Sequence, residues 1–133
     1  CVVCKIVAGQ IPCHKVYEDE QVLAFLDIGP LSRGHTVVIP KAHYLRLDQL
    51  PGELAAACLR PIPSIARRVL RATGAGAWNL LQNNGATAGQ VVPHVHFHII
   101  PRGEGDSLGY RWPAGKLDPQ EARTLLDAIR AAE

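Results

Sequence analysis

Three histidines stand at alternate positions in the segment PHVHFHII, His94, His96 and His98, and the chain has only three others. On a β-strand successive side chains point to opposite faces, so these imidazoles share one face and Val95, Phe97 and Ile99 the other. Same-face neighbours then stand about 6.5–7 Å apart. A helix would spread the rings over much of its circumference, and the β-branched neighbours and flanking prolines disfavour one. The expectation is that the apolar face enters the core while the imidazoles line a surface or cleft. Imidazole is neutral near pH 7, with an ordinary pKa of about 6.5, so it can approach an anionic phosphate. Three arrangements fit this pattern. One is a solvated strand face. Another is a catalytic zinc held by neutral imidazoles with one position open. The third is a nucleophilic imidazole whose neighbours handle charge and protons. A nucleophile needs one ring nitrogen free and the other held by an acceptor.

Other residues with chemical potential lie upstream. The stretch NNGATAGQVV places Asn83, Asn84, Gly85, Gly89 and Gln90 just before the histidines. Glycines there allow backbone N–H groups to turn toward an anion and cradle a phosphate. No Lys-Ser/Thr follows the second glycine, so this is not a P-loop. A plain hairpin turn at Asn84-Gly85 is the competing reading. The four cysteines are Cys1, Cys4, Cys13 and Cys58, and the first two make a C-x-x-C. In a chain of this size that spacing points to a metal site or redox pair more than to a secreted disulfide framework.

The elements that must position these groups can be read in outline. CKIVAG gives a short helical turn ending at Gly9. HKVYED and QVLAFLDI are apolar, β-rich runs around an acidic turn and predict a hairpin. GHTVVIP predicts a third strand, AWNLLQNNG a fourth and VPHVHFHIIP a fifth. Between the third and fourth, PGELAAACLRPIPSIARRVLRATG has helical spacing, with Pro51 before it and Gly74 after it. Pro61 and Pro63 lie inside, so a kink or break is expected there. DPQEARTLLDAIRAAE predicts an amphipathic helix capped by Asp118, with Pro119 at its first position and Leu125, Leu126 and Ile129 turned inward. The outcome is an α+β fold with a mostly antiparallel five-stranded sheet.

Composition narrows the function classes. The 133 residues are 47% hydrophobic and 20% charged, with net charge +2. The length predicts one domain spanning 1–133. The weak basic balance predicts neither a nucleic-acid nor a membrane partner. No apolar run approaches the ~18–20 residues of a spanning helix. No secretory leader is read ahead of Cys1, and without an initiator Met the sequence is expected to lack upstream residues. The cytoplasm is the expected compartment.

The motifs HVHFHII, AGQVVPHVHFHIIPR, KVYEDEQVLAFLDIGPLSRGHTVVIPKAH and CVVCKIVAGQIP run in order through the chain. Together they resemble the histidine triad (HIT) family of nucleotide hydrolases and transferases, and within it the small bacterial branch near the purine nucleoside phosphoramidases. The resemblance implies that His96 attacks the α-phosphorus of a nucleotide and forms a covalent nucleotidyl-histidine, which water hydrolyses. It assigns His98 to the phosphate and leaving group, and His35 to the same site. It implies that Asp27 holds the ribose hydroxyls and that Phe25, Ile28, Ile6 and Val3 flank the base. Asn83 falls to the phosphate or the ribose, Gly89 and Gln90 to the phosphate side, and Val91 to the leaving group. Many relatives carry Phe where Val3 stands, and the phosphoramidase branch carries Ser where Val91 stands. Cys1, Cys4, His43 and His94 match a structural zinc set, one ion per chain, with no catalytic metal. A homodimer is implied, with the C-terminal stretch YRWPAG, Trp112 above all, reaching the partner's site. A dinucleoside-polyphosphate hydrolase and a nucleotide-binding module with little turnover are the alternatives.

Overall fold

The computed structural model describes residues 1–109 and 111–132. Its elements in chain order are α1 (Val2–Val7), β1 (Lys15–Glu18), β2 (Val22–Leu26), β3 (Thr36–Pro40), α2 (Gly52–Leu59), α3 (Ile62–Thr73), β4 (Ala77–Gln82), β5 (Phe97–Arg102) and α4 (Pro119–Ala131). The strands form one sheet in the order β1-β2-β3-β5-β4, every neighbouring pair antiparallel. The hairpin between β1 and β2 is closed by Asp19, whose Oδ1 accepts the N–H groups of Gln21 and Val22, both at 2.8 Å. That is the local work of a short carboxylate in a turn.

Alternation along the central strands divides the core in two. Val22 and Ala24 of β2, Val38 of β3, and Phe97 and Ile99 of β5 pack against Ala57 and Cys58 of α2 and Ile62, Ile65, Ala66 and Val69 of α3. Leu23, Phe25, Val37 and Ile39 point the other way, where Val3 of α1 joins them. The second face is therefore the one that His98, between Phe97 and Ile99, must occupy. α2 and α3 are separated at Arg60–Pro61, the break expected from the prolines, and Pro63 sits in the first turn of α3, where no helical N–H is lost. Gly74 ends α3 in the left-handed conformation at φ +74°.

Two expectations need correction. The fifth strand begins at Phe97, so His94 and His96 precede the regular ladder, although Val95 N–H still bonds Tyr44 C=O at 2.7 Å. His94 is also fully buried along with Val95, whereas His96, though buried, still borders a cleft as expected. The second correction concerns α4. Asp118 caps it through the Glu121 N–H as expected, but Leu125, Leu126 and Ile129 are 46%, 43% and 68% exposed. Helical spacing reveals an apolar stripe without revealing what covers it. Among the described residues, no helix is long and apolar enough to cross a membrane.

Candidate active site and metal centre

A cleft of about 410 Å³ opens on the sheet face opposite α2 and α3. Val3 and Ile6 of α1, Phe25 at the end of β2, Asp27, Ile28, Gly89, Val91, His96 and His98 all line it. Most of the remaining wall is apolar, from Val2, Ile11, Pro12, Leu26, Val37 and Val92. His96 and His98 meet edge to face, ring centroids 4.7 Å apart. Larger hollows lie along the β4 side, away from these rings.

Hydrogen bonds fix the protons on these rings. The Leu31 N–H donates to His35 Nδ1 at 3.0 Å. A ring nitrogen that accepts carries no proton, so neutral His35 is protonated at Nε2. That Nε2–H donates to His98 Nδ1 at 2.8 Å, which leaves the His98 proton on Nε2. The Asp27 Oδ2 lies 3.6 Å from His35 Nε2. Burial holds His98 down at about 4, with His96 and His35 pushing the same way and Asp27 opposing. Burial also lowers His35. Both rings are thus neutral at pH 7. His96 is held differently: its Nδ1 lies 2.7 Å from the His94 carbonyl, which only accepts, so Nδ1 donates and Nε2 keeps a free lone pair. The triad ring that lines the cleft with a free lone pair is therefore His96.

His94 faces away from the cleft chemistry. Its Nε2 lies 2.8 Å from the Pro40 carbonyl, so Nε2 donates and the Nδ1 lone pair is left facing Cys1 Sγ, Cys4 Sγ and His43 Nδ1 at 3.6, 3.7 and 3.1 Å. Cys4 Sγ and His43 Nδ1 are 3.3 Å apart. A tetrahedral zinc with N at about 2.0–2.1 Å and S at about 2.3 Å separates its ligand atoms by about 3.3–3.8 Å. The four residues fit that spacing and could hold a metal ion. A carbonyl on the far nitrogen of a histidine ligand is also the usual outer support. The rings of His94, His96 and His98 do not converge on one point, so they make no shared metal site among the described residues.

A family model described as the HIT domain matches residues 8–105. The chain belongs to the HIT family. It is 47% identical to an adenylylsulfatase of Arabidopsis thaliana over 98% of this chain and 68% of that protein. It is 45% identical to an adenosine 5'-monophosphoramidase of Schizosaccharomyces pombe over 97% of this chain and 95% of that one. The crystal structure of a HIT family member from Bacillus subtilis superposes with TM-score 0.91 at 44% identity, over 98% of this chain and 94% of that chain. A zinc-bound histidine triad family protein from Mycobacterium smegmatis superposes with TM-score 0.70 at 38% identity, over 100% of this chain and 97% of that chain.

In this HIT protein the loop before the triad, the expected phosphate cradle, turns several of its polar groups inward. Gly85 and Gly89 have φ of +90° and +96°, as the turn requires of glycine. Yet the N–H groups of Ala88, Gly89 and Gln90 bond carbonyls of Gly85 and Ala86 inside the loop. The Gln90 amide is also engaged: Oε1 accepts from Gly85 N–H at 2.8 Å, and Nε2 donates to the carbonyls of Leu45 and Val92. Asn84 Oδ1 accepts the Leu47 N–H. These groups shape the loop, and only Gly89 of them reaches the cleft wall, with Asn83 packed behind it. Trp112 is 87% exposed, and Tyr110 lies outside the described residues. The Leu31 N–H, the Pro40 carbonyl and the His94 carbonyl have no mark in the sequence, because backbone groups carry no residue signature. Leu26, Val92 and Cys13 of the wall adjoin or precede recognised segments and were within reach of the same pattern.

Proposed function

We propose that this HIT protein is a nucleotidyl hydrolase that cleaves at the α-phosphate through a covalent nucleotide on His96. The observation that carries the reading is the fixed tautomer of His96, with Nδ1–H on a carbonyl and Nε2 free at the cleft. In the first step Nε2 forms a bond to phosphorus, and the bond to the leaving group breaks with its electron pair. In the second step water forms the new P–O bond and the P–N pair returns to Nε2. Over both steps the leaving group gains the proton that water loses. Imidazole serves because it attacks when neutral and departs well once cationic. His98 Nε2–H is a donor for the phosphoryl oxygens, where charge builds in the transition state. His35 and the Leu31 N–H keep that proton on the cleft side.

The nucleoside takes the apolar end. Val3, Ile6, Phe25 and Ile28 receive the base, and Asp27 accepts from the ribose hydroxyls. Gly29 N–H bonds Asp27 Oδ1 at 2.8 Å and fixes the carboxylate plane. The similarity to an adenosine 5'-monophosphoramidase and an adenylylsulfatase favours an AMP-type substrate and leaves the leaving group variable. The wall at Val91 supplies no hydroxyl there.

The metal we assign to Cys1, Cys4, His43 and His94 is a structural zinc, which supplies a crosslink between the N-terminal turn and the triad segment. A homodimer in the cytoplasm completes the reading. A panel of AMP-lysine, adenosine phosphoramidate, diadenosine tetraphosphate and a nucleotide sugar tests it. Turnover of the phosphoramidates that disappears in His96→Ala is expected. Preference for the tetraphosphate would make this a dinucleoside-polyphosphate hydrolase, and tight AMP binding without any turnover would make it a binding module.

A further inference from the structure

One short element serves both the cleft and the sulfur–imidazole cluster. Helix α1 sends Val2, Val3 and Ile6 to the cleft wall, while Cys1 at its cap and Cys4 within it face His43 and His94. Val3 is the only α1 residue that is buried. The seat of α1 therefore depends on Val3 in the core, on the partly buried Ile6 and Val7 packed beside it, and on what its sulfurs hold. The cluster touches the chemistry by a second route as well, since the carbonyl of His94 orients the His96 ring at 2.7 Å.

We propose that Cys1 and Cys4 form a redox-sensitive clasp: oxidation by a peroxide joins the two sulfurs, ejects the metal and loosens the nucleotide cleft through α1. The Sγ atoms lie within 4.8 Å of each other, a gap that a side-chain rotation in a C-x-x-C turn can close. Cys1 is exposed and Cys4 half-buried, so a small oxidant reaches them. Cys58 is fully buried with its thiol pushed up to about 11, and it stays inert. In the reaction one thiolate attacks a peroxide oxygen, the O–O bond breaks, and hydroxide departs to leave a sulfenic acid. The second thiolate attacks that sulfur, the S–S bond forms and a second hydroxide leaves. The two sulfurs lose two electrons and the peroxide gains them. Two of the four donors are then gone, and two imidazoles alone do not retain the ion. The cleft half of this proposal rests on the nucleotide reading above; the clasp half does not.

The test uses the full, zinc-loaded chain carrying Cys13→Ser, because the Cys13 thiol lines the cleft and its own oxidation would crowd a nucleotide. Hydrogen peroxide is added, and three quantities are followed: crosslinks by peptide mapping, zinc by a chromogenic chelator, and AMP binding by calorimetry. A Cys1–Cys4 crosslink is expected, with zinc released in step and AMP affinity falling roughly tenfold. Dithiothreitol with zinc should reverse all three, and Cys1→Ser should form no crosslink. Zinc retained after full crosslinking, overoxidation without a crosslink, or AMP affinity unchanged once zinc has left would each overturn the proposal. If the reduced, loaded chain binds no AMP, the functional reading falls by itself. The clasp is then judged by hydrogen exchange at residues 3–7, which must speed up on oxidation; unchanged exchange overturns it.

Discussion

The three triad histidines differ less in chemistry than in what holds each ring. His94 is turned by the Pro40 carbonyl toward two sulfurs, His96 is turned by the His94 carbonyl toward the cleft, and His98 accepts from His35. His35→Ala removes the donor that sets the His98 tautomer. Turnover should fall about a hundredfold while AMP affinity changes little, as steady-state kinetics and calorimetry will show. A pH dependence of stability follows from His98 as well. Its folded-state value of about 4 lies below the ordinary 6.5, so the unfolded chain binds the proton first. Stability is full above 6.5 and is lost as pH falls toward 4. Urea unfolding at pH 7.5 and pH 5 should show this loss, and His98→Asn should reduce it. The alternation of His94, His96 and His98 with apolar residues made their joint role legible in the sequence. Which ring would react came from the family resemblance alone, because alternation does not show the three backbone groups that hold the rings: Leu31 N–H, Pro40 C=O and His94 C=O.

At the scale of elements, the sheet order follows from patterns that the sequence shows openly. Asp19 marks the hairpin, and Pro61 and Pro63 mark the break between α2 and α3. The left-handed glycine ahead of His35 is equally informative. Gly34 has φ +89°, and a Cβ there would stand 2.7 Å from Thr73 Cγ2 and 3.1 Å from Val69 Cγ1. It lets the loop close on α3, and the next residue, His35, is buried where its ring meets His98. Gly34→Ala should destabilise the fold by about 1–3 kcal/mol, read as a lowered denaturant midpoint with an unchanged slope. The start of β5 was less legible. A run of alternating residues looks the same whether or not a partner strand is present, and the pairing of Phe97 with Val38 and Gln82 shows where the ladder begins. The loop at 83–90 is harder to read: its glycines permit outward N–H groups, while those of Gly85, Ala88, Gly89 and Gln90 are taken within the loop by the Gln90 side chain and the Gly85 and Ala86 carbonyls.

At the scale of the whole molecule, apolar side chains on two elements lie open among the described residues. β4 is an edge strand with Leu80 exposed, and α4 shows its apolar stripe to solvent. In the homodimer proposed above, a second copy would cover the α4 stripe. Ile129→Glu should then shift the sedimentation coefficient from that of a dimer to that of a monomer, while circular dichroism stays unchanged. The sequence pattern predicted the stripe but not its partner, since periodicity reports that a face is apolar and nothing about which chain it meets. What the assembled fold is claimed to do is place one imidazole against phosphorus. The most direct check is a single-turnover reaction with an AMP-type substrate labelled at the α-phosphate, quenched in alkali, where a phosphohistidine bond survives acid-labile loss. Label is expected on the peptide containing His96 and none in His96→Ala. Full turnover with no label on protein at any time, or label that persists in His96→Ala, would contradict it.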